Sequence, residues 1–463
     1  MFNFLFYDYE SFGIHPALDK PAQFACVRTD IDFNIVEKSR YFFCYPPNDY
    51  LPEPDSILIT GITPQYTRKH GINEFFFSRK IFSILNKKNT CILGYNNLNF
   101  DDEITRNIFY RNFLDPYSWS WKNNNSRWDV LSLVRACFVL SPRNISWPKN
   151  KYGGISFKLQ DLTKVNNISH KAHDALSDVY ATIDLIKLIK IKKIELFNFF
   201  FKYRLKKNII KLITSQYGTP LIYISNIFGI SRNYFTCITP IFWSDLNSNM
   251  LIFFDLYMDY QRLLDFLKKK HVQDIQVSHL FKLGVNFLYV NKCPILVPYD
   301  YFSTLKFLKC GIDINVYLKQ SRKIHLNNKI VSKIKMIFSN YIYQYQKDNV
   351  DLKIYDNFFS THDKNQMKKI HFMDVKDTKN IKFTFKDKKL NEMLLRIYAR
   401  NFSYLLNNDE FNYWMQYRCR IFNKKCLLEY FKKIDQLILL HYDNFKYLKL
   451  LILLKRYVFS LLI

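Results

Sequence analysis

Glycine and proline are scarce in this sequence, 10 and 14 among 463 residues. That scarcity argues against long flexible tracts, which are built from residues that resist packing. Hydrophobic residues make up 48% and aromatics 18%, so there is material for more than one buried core, and the length suits two to four domains. No Cys-x-x-Cys pair occurs among the nine cysteines, at positions 26, 44, 91, 137, 237, 293, 310, 419 and 426. A disulfide framework and a zinc site both lose their usual sequence basis, and reduced thiols in the cytoplasm are expected. No uncharged apolar run reaches the roughly 20 residues of a membrane span. The most apolar stretch, Tyr447 to Ile463, is interrupted by Lys449, Lys455 and Arg456 and is expected to form a buried amphipathic helix. Met1 to Tyr9 is apolar too, yet it lacks a basic start and meets Asp8 and Glu10 at once, so it does not read as a signal peptide. Internal repeats and low-complexity blocks are absent as well.

Acidic residues are also in deficit. Asp and Glu total 40 against 68 Lys and Arg, a formal net charge of +28. A surplus of that size suits a polyanionic partner, and nucleic acid is the commonest one. Lysine enrichment from an AT-rich genome is the plainer explanation of the same number, and a basic surface on a membrane is a third.

Along the first 190 residues short β-like runs alternate with helical periodicity. Strands are expected at Phe2–Tyr9, Ala22–Arg28, Tyr41–Cys44 and Cys91–Tyr95, and helices at Asn73–Leu85, Asp101–Arg111, Asp129–Val139 and Ala172–Ile189. This order predicts an α/β layer structure. From about Phe197 to Asn340 the runs Leu221–Ile224, Leu251–Leu256 and Val285–Val290 read as strands of a small β-rich domain. Beyond Asp348 the pattern is helical almost to the end.

Asp8 and Glu10 stand at the end of the first expected strand. Residues i and i+2 of a strand share a face, so the two carboxylates project together, and a divalent cation resolves their repulsion. A solvated strand end is the plainer reading of Asp-x-Glu alone. Asp101 falls just after a strand at a helix start, where it could equally serve as an N-cap. His173 and Asp178 lie five apart on an expected helix, within about 140° on the wheel. Asp174, four before Asp178, shares its face, and spacing leaves either as the ligand. Hydrolysis of a phosphodiester accounts for these residue types. Magnesium takes oxygen ligands, paired ions about 3.5–4 Å apart stabilise the charge that builds up, and an imidazole takes a proton from water near neutrality.

At Asp8, Glu10, Asp101, His173 and Asp178 the sequence resembles the DEDD exonuclease superfamily in its histidine-containing branch, and within it the bacterial exodeoxyribonucleases. The likeness runs through FYDYESFGIHPALDKPAQFACVRTD, LPEPDSILITGITPQ and TCILGYNNLNFDDEITRNIFYRNFLDPYSWSW. NSRWD at Asn125–Asp129 and AHDALSDVYATI at Ala172–Ile183 extend it. It thins in the C-terminal half to VNKCP, DNVDLKIYDNFFS and YARNF.

The resemblance implies an α/β ribonuclease-H-like exonuclease domain over residues 1–192, an SH3-like β-rich domain over 193–345 and a helical C-terminal domain over 346–463. Together these would clamp a single strand of DNA, shortened processively from its 3′ end to 5′-mononucleotides during repair and recombination. It selects Asp178 over Asp174. Asp8, Glu10, Asp101 and Asp178 would hold two Mg²⁺ ions, with Mn²⁺ as an accepted replacement, and His173 would be the general base. Glu10, Arg106, Tyr117, Trp121, Arg135 and Lys158 would touch the strand. Lys158 stands where the family has an arginine, which keeps the charge and loses the bidentate geometry. The family also docks the acidic tail of single-stranded DNA-binding protein. Here Ser141 replaces an arginine of that pocket and Phe199 a tyrosine, so this partnership is where the chain departs furthest. A cytoplasmic monomer without membrane attachment is expected. The competing reading is a strand-binding protein that keeps the fold and has lost turnover.

Overall fold

In the computed structural model, which describes residues 2–301, 312–339 and 348–462, four strands make up the first sheet's N-terminal part. They are β1 (Asn3–Ser11), β2 (Pro21–Thr29), β3 (Arg40–Phe43) and β4 (Thr90–Gly94). They lie in the order β3-β2-β1-β4. β1 runs antiparallel to β2 from Phe4↔Thr29 to Glu10↔Gln23 and parallel to β4 from Asn3↔Thr90 to Phe6↔Leu93. Aromatic and branched residues favour this pleated, buried setting, and all nine residues of β2 are buried. Alternation along β1 sends Leu5, Tyr7 and Tyr9 into one core with Phe24, Phe77, Ile104, Ile108 and Phe109. Asp8 and Glu10, one residue out of phase, therefore take the other face. Gly94 ends β4 where a side chain would not fit, since a Cβ there would lie 2.6 Å from the Tyr7 carbonyl oxygen.

Contacts divide the chain into two units that interleave in sequence. The first gathers Met1–Asn125, His170–Ala181 and Tyr345–Ile463; the second holds Ser126–Ser169 and Thr182–Gln344. Within the first unit the C-terminal helices complete two cores. Leu390, Met393, Ile397 and Phe402 pack with Phe75, Tyr110 and Phe113, while Leu451, Leu454 and Val458 pack with Ile57 and Leu58. Buried ion pairs join the same segments. Arg400 reaches both Asp49 and Asp351 at 2.7 Å, and Arg111 grips Glu74 through two bonds of 2.7 and 2.6 Å. The expected apolar C-terminal helix is present as Phe445–Leu462, with Leu450, Leu451, Leu454, Tyr457, Val458 and Leu461 buried. Among the described residues no helix is long and apolar enough to cross a membrane, and no disulfide joins the eight described cysteines.

The second unit holds β5 (Ser126–Asp129) and a five-stranded antiparallel sheet in the order β10-β6-β7-β8-β9. Its strands are β6 (Leu221–Ile224), β7 (Phe235–Trp243), β8 (Met250–Asp255), β9 (Val285–Tyr289) and β10 (Ile295–Pro298). The expected strands 221–224, 251–256 and 285–290 are here, within a residue at each end. β7 escaped the sequence reading because Pro240 sits inside it, at a register shift between Pro240 and Phe242 that tolerates a missing N–H. Helices are more plentiful than the β-rich reading supposed: Tyr260–Lys269, Val277–Lys282, Ile314–Leu326 and Asn328–Ser339 all belong to this unit.

Candidate metal centre

The end of β1 brings three carboxylates together. One oxygen from each of Asp8, Glu10 and Asp178 lies within 4.8 Å of the other two. Asp8 and Glu10 arrive by strand alternation, and Asp178 comes from the first turn of the helix Ala175–Lys192. Asp101 sits alongside for a separate reason. β4 pairs with β1 only as far as Phe6, so past that point the β4 side of β1 loses its partner, and Asp101 Oδ1 accepts the Tyr9 N–H at 3.0 Å. Asp101 is the first residue of its helix, whose N-cap is Phe100. The capping role that sequence left open is not the one it plays. Its neighbour Asp102 is fully buried, accepting from the Tyr7 hydroxyl and from Asn97 Nδ2 at 3.1 Å, which fixes the start of the helix against β1.

Electrostatics follow from the crowding. Burial raises the Asp8 carboxyl well above the usual carboxylate range, and the charges of Asp101, Glu10 and Asp178 raise it further. Burial and the charges of Asp178, Asp101 and Asp174 push Glu10 up to about 8. Asp178 is raised by burial, opposed by a hydrogen bond from His170, by the charges of His170 and His173 and by the His173 backbone N–H. Such a cluster stabilises either extra protons or a cation. Its donors are all oxygens, the set that suits a hard divalent ion.

The helix expected from Ala172 begins at Ala175 instead. Asp174 caps it: its carbonyl accepts the Asp178 N–H at 2.9 Å and its Oδ1 accepts the Ser177 N–H at 3.1 Å. Of the two aspartates that spacing left open, Asp178 is the one that joins the cluster, while Asp174 is engaged by the helix end. His173 is thereby off the helix. It occupies an exposed turn with φ of 64°, a left-handed conformation that histidine tolerates better than most side chains. The wheel relation between His173 and Asp178 does not apply, and proximity comes through the backbone. Sequence reasoning missed His170, whose Nε2 hydrogen-bonds Asp178 Oδ1. A separation of eight residues across a turn carries no periodic signal.

The expected strand contacts are placed variously. Arg106 is buried, paired with Glu103 at 2.7 Å and 6.0 Å from the centre of the Tyr117 ring. Tyr117 donates its hydroxyl to the Ile354 carbonyl at 3.0 Å, and Tyr355 donates its own to Glu103. Trp121 is 67% exposed. In the second unit, Arg135 lies 5.8 Å from the Phe157 ring centre and Lys158 is exposed at the start of the helix Leu159–Val165. Ser141 accepts a hydrogen bond from Lys193 at 2.8 Å. Phe199 packs on Tyr203 and Tyr301, with ring centres 4.5 and 5.4 Å away.

Three family models match the chain in sequence. An exonuclease model covers residues 5–186, the exonuclease I SH3-like domain 204–340 and the exonuclease I C-terminal domain 348–461. The exodeoxyribonuclease I of Buchnera aphidicola subsp. Schizaphis graminum is 51% identical over 459 residues, 99% of this chain and 95% of that protein. The structure of Escherichia coli exonuclease I in complex with a dA16 oligonucleotide superposes with a TM-score of 0.93 at 38% identity, covering 100% of both chains. A structure of SSB/exonuclease I in complex with the inhibitor CFAM gives 0.91 at 39%, again over 100% of each.

Proposed function

The chain belongs to the exodeoxyribonuclease I family, and from that premise we propose that it is a 3′→5′ exonuclease that degrades single-stranded DNA to 5′-mononucleotides in DNA repair and recombination. The observation that carries the reading is the convergence of Asp8, Glu10 and Asp178 within 4.8 Å, with Asp101 anchored beside them.

Those four carboxylates would hold two Mg²⁺ ions, or Mn²⁺ in their place, and Glu10 would also meet the terminal nucleotide. When bound, the ions stabilise negative charge on the phosphate and on the departing 3′-oxygen. His173 takes a proton from the water that attacks phosphorus. The bond from phosphorus to the 3′-oxygen of the preceding nucleotide breaks, that oxygen gains a proton, and a 5′-mononucleotide leaves. Exposure of the His173 turn supports this role, since the proton has a route to solvent. His170, hydrogen-bonded to Asp178, would orient that carboxylate.

The strand would be held by Arg106, Tyr117, Trp121, Arg135 and Lys158. Exposed Trp121 suits base stacking, which contributes roughly 1–3 kcal/mol per base. We assign the ribonuclease-H-like exonuclease domain to residues 1–192, the SH3-like domain to 193–345 and the helical domain to 346–463, in keeping with the three matched segments. Partners are single-stranded DNA and the acidic tail of single-stranded DNA-binding protein. The similarity to a structure of SSB/exonuclease I supports the second, with Ser141 and Phe199 as the positions where this chain departs from the family's pocket. We expect the protein to work as a cytoplasmic monomer.

A 3′-labelled single-stranded oligonucleotide tests the reading. With Mg²⁺ the protein should release labelled mononucleotide from the outset, and EDTA or Asp178→Ala should stop release. Binding without release in every condition would remove the enzyme reading, and earlier release of a 5′ label would reverse the polarity.

A further inference from the structure

A small hairpin in the second unit stands outside everything used so far. Lys149 and Ile155 form an antiparallel bridge, closed by Asn150 N–H to the Gly154 carbonyl at 2.7 Å and Gly153 N–H to the Asn150 carbonyl at 3.0 Å. Asn150 Oδ1 accepts the N–H groups of Tyr152 and Gly154 at 2.9 and 3.1 Å, so the tip is held from inside. Gly153 takes a φ of +80°, and a Cβ on Gly154 would lie 2.3 Å from Ile230 Cδ1. Two consecutive glycines, in a chain with few, thus permit the turn and seat it on Ile230. The Tyr234 hydroxyl adds a bond to the Ile155 carbonyl at 3.4 Å.

What the hairpin presents is unusual for a solvated tip. Tyr152 is 81% exposed, and Lys151 Nζ lies 5.0 Å from the centre of its ring. Between the hairpin and the helix Leu159–Val165 opens a cavity of about 650 Å³ lined by Lys149, Lys151, Tyr152, Lys158, Lys164 and Asp161, among others. The four lysines are all exposed. Asp161, the carboxylate among these residues, accepts from Ser156 Oγ at 2.5 Å. Four exposed lysines and an exposed tyrosine lining one cavity are the groups that hold a single strand, where bases stack on rings and phosphates pair with cations.

We propose that this cavity is a strand-binding site of its own, with a base stacked on Tyr152 and flanking phosphates on Lys149, Lys151 and Lys164. It rests on the reading above only in taking that strand to be DNA. Lys158, already expected to touch substrate, would be one wall of it. The tip would then hold DNA through residues that have no part in the carboxylate centre.

Binding of a fluorescein-labelled dT20 to the full chain in EDTA, followed by anisotropy, separates this from turnover. Tyr152→Ala should weaken binding about 5-fold or more, and Tyr152→Phe should keep it. The double variant Lys151→Ala, Lys164→Ala should flatten the dependence of log affinity on log salt by about 1.4, the share of two phosphate contacts. All three variants should melt like the parent and hydrolyse the p-nitrophenyl ester of thymidine 5′-monophosphate at the parent rate. Parental affinity and salt slope in the Ala variants would overturn the proposal, and so would dT20 binding that these variants keep while losing affinity for a polyglutamate peptide. Should the parent bind dT20 through Tyr152 yet release no nucleotide with Mg²⁺, the nuclease reading fails and this site stands.

Discussion

At the scale of the residue, the convergence of Asp8 and Glu10 with Asp178 was legible, and the bond from His170 to Asp178 was not. Strand alternation is enough to pair Asp8 with Glu10, because it depends on local geometry alone. Choosing Asp178 over Asp174 needed either the family resemblance or the helix end itself, since both share one helical face. Whether Asp101 caps its helix depended on how far β4 pairs with β1, which no local pattern encodes. His170 was invisible because its bond to Asp178 spans a turn. These assignments separate cleanly by experiment. Asp174→Ala removes a helix cap and should cost about 1 kcal/mol of stability, read as a lower melting temperature with Mn²⁺ affinity kept. His170→Ala removes the partner of a proposed ligand, and outer partners of that kind contribute roughly tenfold in metal affinity. Calorimetric titration with Mn²⁺ should show that loss at an unchanged melting temperature. Should Asp174→Ala weaken Mn²⁺ while His170→Ala does not, the assignment of Asp178 as the third carboxylate would have to be exchanged for Asp174. For His173→Ala the expected outcome is a fall in turnover far larger than any change in affinity for DNA, and equal losses in both would make it a structural residue.

At the scale of the element, regular strands and helices were read to within a few residues wherever periodicity and caps agree. The helix Asp101–Arg111 was placed end for end, and Asn73 and Asp129, taken as first helical residues, are the caps of theirs. What could not be read is how each element is fastened. The helix Thr361–Phe372 shows this. Its His371 lies flat on Phe75, with ring centres 4.9 Å apart and planes 5° apart, and bonds the Asn112 carbonyl at 2.6 Å. Burial, reinforced by the charge of Arg79, lowers its pKa from 6.5 to about 4 despite the opposing pull of that carbonyl. Between those values the unfolded chain holds a proton that the folded chain refuses, so acid favours unfolding. Stability attached to this contact is present above pH 6.5, falls as pH drops toward 4, and is worth at most about 3 kcal/mol. His371→Gln should therefore lower stability at pH 7.5 and flatten its decline between pH 6.5 and 4.5, as followed by urea unfolding at each pH. An unchanged slope would mean that His371 is solvated in the folded protein.

At the scale of the whole molecule, the three zones of composition describe the order of the chain better than the way it packs. The first unit needs sequence from both ends. Phe75, Tyr110 and Phe113 meet Leu390, Met393, Ile397 and Phe402 in one core, and Ile57 and Leu58 meet Leu451, Leu454 and Val458 in another. Each buried large side chain contributes about 1.5–3 kcal/mol when removed from water, so severing these contacts costs more than the whole net stability of an ordinary domain. Charge makes the dependence sharper. Asp49 is 7% exposed and meets Arg400. The Asp351 carboxyl is held far below the usual range, because Arg400, Arg396 and Lys20 outweigh the burial that would raise it. Removing one side of a buried ion pair costs about 3–5 kcal/mol. A chain ending at residue 345 would lose the apolar partners and strand the Asp49 carboxylate at once. We expect that truncation to give no cooperative melting transition and rapid cleavage by a dilute protease, even though every carboxylate of the candidate metal centre lies within the part retained. Adding residues 346–463 back as a separate chain should restore the transition, because the missing cores are then supplied without a covalent link. A truncated chain that melts cooperatively at the parent temperature would show instead that the N-terminal sheet and its helices close a sufficient core by themselves, and that the C-terminal helices are attached to a unit already complete.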